Sequence, residues 1–362
     1  MHIVTLDKLQ PGMILARSLF NDDLVVVLSA GTVLTNAHLI RLRFLNVDQV
    51  FIRDEADRRA EEAKEDFPAY KKKVIFQQNY EDAKKEVREV FEEISKGPIQ
   101  PETVDKSRYV VRHEIVPMSK NSAAVDYLYE MKNLDDDIYT HSIRVSIIAG
   151  LIAKWMYMSP KVMREIVLAA FLHDIGKTKF DSRLRGKKVE NLKGEDLARY
   201  QRHPQDGYGL LMKSPDLSTD VKLAVLQHHE RMDGSGFPNH RKANTIHLYA
   251  RIICIADIYD NITSERQGYI KQTPFAAIER FKQEMYHGLD PNICVPILTR
   301  IRDSLLGSTV LLNTGQIGRI TYFAKDILAK PLIELEGIPA GYETTIDLNQ
   351  HSELQIVEYN PV

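Results

Sequence analysis

Seven His and Asp side chains of this chain stand out as candidates to hold multivalent cations, and six of them stand where a helical apolar pattern begins or ends. The most informative stretch is His228-His229-Glu230-Arg231-Met232-Asp233-Gly234-Ser235-Gly236-Phe237-Pro238. The run before it, Val221-Lys222-Leu223-Ala224-Val225-Leu226, has helical apolar spacing, and Asp233-Gly234-Ser235-Gly236 cannot continue a helix. The two imidazoles therefore close a helix and face a loop. There they could serve the helix dipole or act as neutral metal ligands. His173-Asp174 closes the apolar run 166–172 and leads into Ile175-Gly176-Lys177. A carboxylate beside an imidazole at the end of an apolar helix is costly unless paired, and a hard, multiply charged cation would offset that cost.

His141 opens another apolar helix, His203-Pro204 stands where a loop enters a helix, and Asp257 lies in Ile255-Ala256-Asp257-Ile258-Tyr259-Asp260. Taken singly, a histidine on an apolar helix is a satisfied core residue more often than a ligand, and Asp257 could pair with a neighbouring arginine. Taken together, His141, His173, Asp174, His203, His228, His229 and Asp257 supply nitrogen and oxygen donors with no thiolate. That set suits a two-metal site of borderline or hard cations such as Mn²⁺ or Fe²⁺. Two such ions about 3.5–4 Å apart are suited to phosphoester hydrolysis, because they neutralise charge on the phosphoryl oxygens.

The elements that must position these residues follow from the apolar period. Residues 1–53 alternate short apolar runs with turns, which predicts a small β-rich N-terminal module with one helix near residues 36–45. Residues 54–100 are dense in charge with spaced apolar positions and one interruption at Pro68, as in one or two amphipathic linker helices; these suit a homodimer contact or a spacer. From 101 to 306 the helical period dominates: Ile143, Ile147, Ile148, Leu151, Ile152 and Trp155 share one face, and 166–172 is apolar nearly all round. Asp220 is expected to cap the helix ending at His228. Thr273-Pro274 and Asp290-Pro291 are expected to open two more. Residues 307–362 return to strand patterns at 309–312, 318–322, 331–335 and 355–357, a small β-rich C-terminal module. The fold class is therefore mainly α, an all-α bundle flanked by two β-rich modules.

Composition bounds the partners. Lys plus Arg number 48 against 50 Asp plus Glu, a net charge of −2, which argues against DNA, RNA or a membrane surface as the partner of the whole chain. Cys254 and Cys294 are too few for a disulfide framework and sit in apolar segments, so they are expected to be reduced core residues. The longest apolar run, 147–153, is too short to span a bilayer, and no signal peptide pattern opens the chain; a cytoplasmic location is the expectation.

The order His…His-Asp…His…His-His…Asp resembles the HD superfamily of metal-dependent phosphohydrolases, and within it the HD-GYP family of cyclic-di-GMP phosphodiesterases. His173-Asp174-Ile175-Gly176-Lys177 and the 228–238 stretch resemble that family's two motifs, with Phe237 in place of Tyr. Tyr139-Thr140-His141-Ser142, His203-Pro204, Ala256-Asp257-Ile258-Tyr259-Asp260, Thr263-Ser264 with Arg266, and Leu289-Asp290-Pro291 extend the resemblance over roughly residues 120–300.

The resemblance implies a helical HD-type catalytic domain that hydrolyses cyclic di-GMP to pGpG, with GMP as a further product. It also implies two divalent ions, Fe or Mn. One is held by His141, His173, Asp174 and Asp257, the other by His203, His228 and His229 with Asp174 bridging. Some members hold a third ion through a carboxylate four residues before the first histidine, here Asp137, which is one methylene shorter than the usual Glu and could equally serve the helix start. Lys177 and Arg266 are expected on substrate phosphate. Lys271 is a candidate second basic contact, displaced because 266–271 carries one residue more than the family pattern. Asp260 could bond substrate, orient a metal-bound group or cap Arg266. Alternatives to catalysis of cyclic di-GMP cleavage are a weakly active sensor or scaffold for a signalling protein such as a diguanylate cyclase, and a hydrolase of another dinucleotide such as cyclic GMP-AMP.

Overall fold

The structure, a computed structural model, describes residues 2–15, 19–20, 26–28, 32–44, 49–52, 55–97, 99–131, 137–181, 184, 189–265, 271–324, 330–337 and 344–360. Backbone packing divides the chain into two compact units, Met1–Ile75 and Phe76–Val362.

In the first unit β1 (His2–Thr5) pairs antiparallel with β4 (Gln49–Ile52), and β2 (Leu19–Phe20) with β3 (Val26–Leu28); α1 (Asn36–Phe44) falls where a helix was expected. Leu15, Leu34, Leu42, Val50 and Ile52 form its core. The long helix α2 (Glu55–Lys96) continues through Pro68 as one element, and the boundary between the units falls within it.

The second unit is built from helices α3 (Pro101–Val110), α4 (Val116–Ser119), α5 (Ala124–Glu130), α6 (Ile138–Trp155), α7 (Pro160–Leu172), α8 (Gly194–Gln201), α9 (His203–Leu211), α10 (Thr219–Gln227), α11 (Leu248–Thr263), α12 (Pro274–Glu284) and α13 (Pro291–Ser304). A π-helical turn at Val111–Ile115 joins α3 to α4. The centre is α6, which packs on α7 and α11, with α10 against α7 and α11. Ile143, Ile147, Leu151 and Ile152 of α6 are buried, and so is every residue of α7 from Ile166 to Leu172, as an all-round apolar helix requires.

Local chemistry starts these helices. The Ser159 hydroxyl accepts the Val162 N–H ahead of α7, and Pro160 stands at a first-turn position where its missing N–H costs nothing. Asp290 caps α13 through the Asn292 N–H. The cap of α10 corrects the expectation: Ser218 accepts the Val221 N–H, and Asp220 lies inside the first turn, where its charge serves the dipole instead.

After α13 the chain forms an antiparallel five-stranded sheet in the order β8-β7-β6-β5-β9, from β5 (Thr309–Leu312), β6 (Ile317–Phe323), β7 (Pro331–Leu335), β8 (Thr345–Asp347) and β9 (Ile356–Asn360). β8 is too short and polar to have been read as a strand. Val310, Leu312, Ile320, Ile333 and Tyr359 join the same hydrophobic core as the helices. Cys254 and Cys294 are free and buried. No helix among the described residues is long and apolar enough to cross a membrane.

Candidate metal centre

Helix ends deliver the donors to one place. His173 caps the C-terminus of α7 and Asp174 follows it; His203 is the first residue of α9; His228 caps α10 and His229 follows; His141 lies in the first turn of α6, and Asp257 in the interior of α11. Their donor atoms converge as two groups, His141, His173 and Asp257 in one and Asp174, His203, His228 and His229 in the other, each with its atoms within 4.8 Å of one another.

Asp174 faces both groups. Its Oδ2 lies 3.5 Å from His141 Nε2 and 3.3 Å from His173 Nε2, while Oδ1 lies 3.2 Å from His203 Nε2 and 3.7 Å from His228 Nε2. Asp257 Oδ1 is 3.2 Å from His141 Nε2 and accepts from Asn261 Nδ2 at 2.9 Å.

The far sides of the rings decide which nitrogen can ligate. The Nδ1–H groups of His173, His203 and His228 donate to the carbonyls of Ala170 (2.7 Å), Tyr200 (2.6 Å) and Val225 (2.7 Å), each three residues back. His141 Nδ1 donates to Asp260 Oδ2 at 2.8 Å. Carbonyls can only accept, so the proton sits on Nδ1 and the Nε2 lone pair points inward. Burial lowers His203 to about 4 and outweighs the pull of the nearby Asp174 carboxylate; burial also lowers His228, and with neighbouring charge pushes His229 well down. These imidazoles are neutral donors near pH 7.

Such an arrangement is repulsive by itself. His203 Nε2 and His228 Nε2 lie 3.2 Å apart, and His173 Nε2, His229 Nε2 and Asp174 Oδ1 are buried without a hydrogen-bond partner. Inward imidazole lone pairs around the Asp174 carboxylate, which faces both groups, fit divalent cations held by nitrogen and oxygen.

Lys177 Nζ bonds Asp174 Oδ2 at 2.6 Å and lies 5.3 Å from the centroid of the Tyr200 ring. Burial raises the Asp174 carboxyl, but His173 and Lys177 outweigh it, so Asp174 is held well below its ordinary range. The 230–242 loop is pinned by buried Glu230, whose carboxylate accepts the N–H groups of Asn239 (2.8 Å) and Arg241 (2.9 Å). That loop stacks Phe237 on His229, ring centroids 4.6 Å apart.

Other expected residues lie elsewhere. Asp137 caps α6 through the Thr140 N–H at 2.8 Å and pairs with Arg88 at 3.3 Å; it joins neither donor group. Asp260, a candidate for substrate, is buried, and its carboxylate accepts from His141, Arg144 and Ser264. Lys271 donates to the Tyr129 carbonyl at 2.7 Å and lies over that ring at 4.2 Å. Arg266 is outside the described residues.

Sequence reasoning overlooked Arg144, Glu230 and Tyr200. Arg144 stands three residues after His141 on one face of α6, a spacing that could have flagged it; Tyr200 lies in α8 and His203 opens α9, so no helical spacing links those two.

A helical bundle whose helix ends converge on two histidine/carboxylate groups defines a metal-site class, and the sequence comparison agrees. Residues 123–293 match the family model of the HD domain. It is 31% identical over 191 residues to the cyclic di-GMP phosphodiesterase PA4108 of Pseudomonas aeruginosa, covering 53% of this chain and 46% of that protein. It is 38% identical over 164 residues to the cyclic di-GMP phosphodiesterase response regulator RpfG of Xanthomonas campestris, covering 45% and 43%. Another relative is the 3′3′-cGAMP-specific phosphodiesterase 3 of Vibrio cholerae, 30% identical over 151 residues, covering 42% and 32%. The chain thus spans less than half the length of each of these relatives. Among solved structures, Bd1817, a HDG"Y"P protein from Bdellovibrio bacteriovorus, shares the fold with a TM-score of 0.55 at 18% identity, over 83% of this chain and 99% of that one.

Proposed function

We propose that the chain is a metal-dependent phosphodiesterase that hydrolyses cyclic di-GMP to pGpG, with GMP as a further product. The observation that carries this reading is the inward convergence of seven nitrogen- and oxygen-bearing side chains in two groups, with Asp174 facing both. One cation would be held by His141, His173, Asp174 and Asp257, and a second by Asp174, His203, His228 and His229. Divalent ions there, Fe or Mn by donor type, supply Lewis-acid charge for water attack on a phosphodiester.

The chain's own residues do the rest. Hydrogen bonds from Nδ1 hold four imidazoles in the ligating tautomer before any ion arrives, which lowers the cost of assembling the site. Lys177 keeps Asp174 ionised and carries an ammonium at the edge of the site, where it can meet a phosphoryl oxygen. Arg266 is proposed as a second phosphate contact. Asp137 and Lys271, engaged with Arg88 and Tyr129, are weaker candidates for a third ion and for substrate.

The donor groups would act on phosphate through the cations they hold and would leave the base unread. A relative named as cGAMP-specific keeps cyclic GMP-AMP as a second substrate to test. The test is to load protein anaerobically with Fe²⁺ or Mn²⁺, supply each dinucleotide and resolve the products. Metal-dependent pGpG or GMP is expected from cyclic di-GMP. Asp174→Asn should lose turnover by at least about two orders of magnitude while remaining folded. Absence of product from loaded, dinucleotide-bound protein would replace catalysis with a sensor role, in which a signalling protein such as a diguanylate cyclase is the partner.

A further inference from the structure

The two donor groups are not chemically equivalent, and the difference lies behind His141. His173, His203 and His228 each donate Nδ1–H to a neutral backbone carbonyl. His141 donates to a carboxylate, Asp260 Oδ2, at 2.8 Å. A carboxylate behind an imidazole makes its far nitrogen the more basic donor. The same group also contains Asp257, whereas the other has Asp174 and three imidazoles.

Asp260 is held in that role from α6. Arg144 Nε donates to Oδ1 at 2.7 Å and Nη2 to Oδ2 at 3.3 Å, while Ser264 Oγ donates to Oδ1 at 2.7 Å. Arg144 and Asp260 are both 1% exposed. A guanidinium so deeply buried is stable only against an anion, and the fork leaves the carboxylate no other rotamer with equal bonding. Tyr80, from α2, lies against the same guanidinium and donates its hydroxyl to the Thr140 carbonyl. One ion pair thus ties the first turn of α6 to α11 and sets the direction of the His141 lone pair.

We infer that the two cation pockets are unequal, that the His141/His173/Asp257 pocket is the tighter and fills first, and that Arg144 is the positioning residue that makes it so through Asp260. This rests on the metal-dependent reading above but not on any particular substrate. A merely structural ion pair between α6 and α11 would support both pockets alike, since both depend on the same bundle.

The experiment is a titration of cation-free protein with Mn²⁺, followed by calorimetry and by electron paramagnetic resonance of bound and spin-coupled Mn²⁺, with metal content measured independently. Wild-type protein should fill in two resolved steps. His203→Ala should remove the weaker step and spare the tighter one. Asp260→Asn, which keeps the shape and removes the charge, should weaken the tighter step about 10–100-fold and leave the weaker within about twofold. Arg144→Lys, which keeps charge and loses the fork, should fall between wild type and Asp260→Asn; should it fail to fold, Asp260→Asn alone carries the test. Two equal steps in wild type, loss of the tighter step in His203→Ala, or equal weakening of both steps or of neither in Asp260→Asn, would each overturn the inference. Dinucleotide is absent from this titration, so it stands apart from the turnover assay: a wild-type protein that fills two unequal steps here and yields no product there would end the phosphodiesterase reading and leave this one standing.

Discussion

A Cβ added at Gly176 would lie 2.0 Å from the carbonyl oxygen of His203, and 2.8 Å from the Gly207 nitrogen. The turn that follows His173-Asp174 therefore nests directly on the first turn of α9, backbone against backbone. This contact sets where His203 stands relative to Asp174.

Gly176→Ala is expected to push α9 outward. It should cost about 3 kcal/mol of stability, as overpacking against backbone does. It should also displace His203 from Asp174. Denaturant midpoints measure the first effect and bound-cation stoichiometry the second; full stoichiometry with wild-type stability would contradict the contact.

Glu230→Gln should loosen the 230–242 loop. An amide can replace one carboxylate oxygen as acceptor but not both, leaving a buried N–H of Asn239 or Arg241 unpaired at about 1–3 kcal/mol. Faster amide exchange across the loop, with α6 and α7 unchanged, is the expected outcome.

Acid should destabilise the cation-free protein in a defined window. His203 titrates at about 4 when folded against 6.5 unfolded, so between those values the unfolded chain binds more protons and stability falls as pH falls. At about 1.4 kcal/mol per pH unit this one residue accounts for about 3 kcal/mol. Asp174 acts later: its depressed folded value contributes stability above 3.8 that is lost only as pH drops further. Urea midpoints that stay level between pH 7 and 4.5 would refute this. Saturating Mn²⁺ should move the fall to lower pH, because ion and proton compete for the same lone pairs.

Phe237→Tyr should leave cation binding unchanged. The ring stacks on His229 at 27°, a contact that a phenol preserves. A restored hydroxyl bond to substrate would shift affinity by about 0.5–1.5 kcal/mol, roughly two- to tenfold. A change in Mn²⁺ stoichiometry would show that Phe237 shapes the donor group itself.

Much of the bundle was legible because its causes are local. Ser159-Pro160 and Asp290-Pro291 start helices wherever they are placed, and an all-round apolar run such as 166–172 can only be a core element. Short strands are less legible: β8 has three residues, too few for a pattern, and forms because β7 offers it a partner. The Ser218 cap was passed over for Asp220 because both are good capping types two residues apart, and only backbone geometry chooses between them.

The sequence alone named the seven side chains that the fold brings into two groups, because residue type states which atoms are available to a cation. Tertiary structure alone decided how those atoms are divided and aimed. That Asp260 turns to His141 and Arg144 depends on the packing of α6 against α11, that Asp174 faces both groups depends on α9 and α10 as well, and that Asp137 turns to Arg88 depends on α2. A side chain's direction is set by what surrounds it, and residues more than a hundred positions apart in the chain meet only once the bundle has closed.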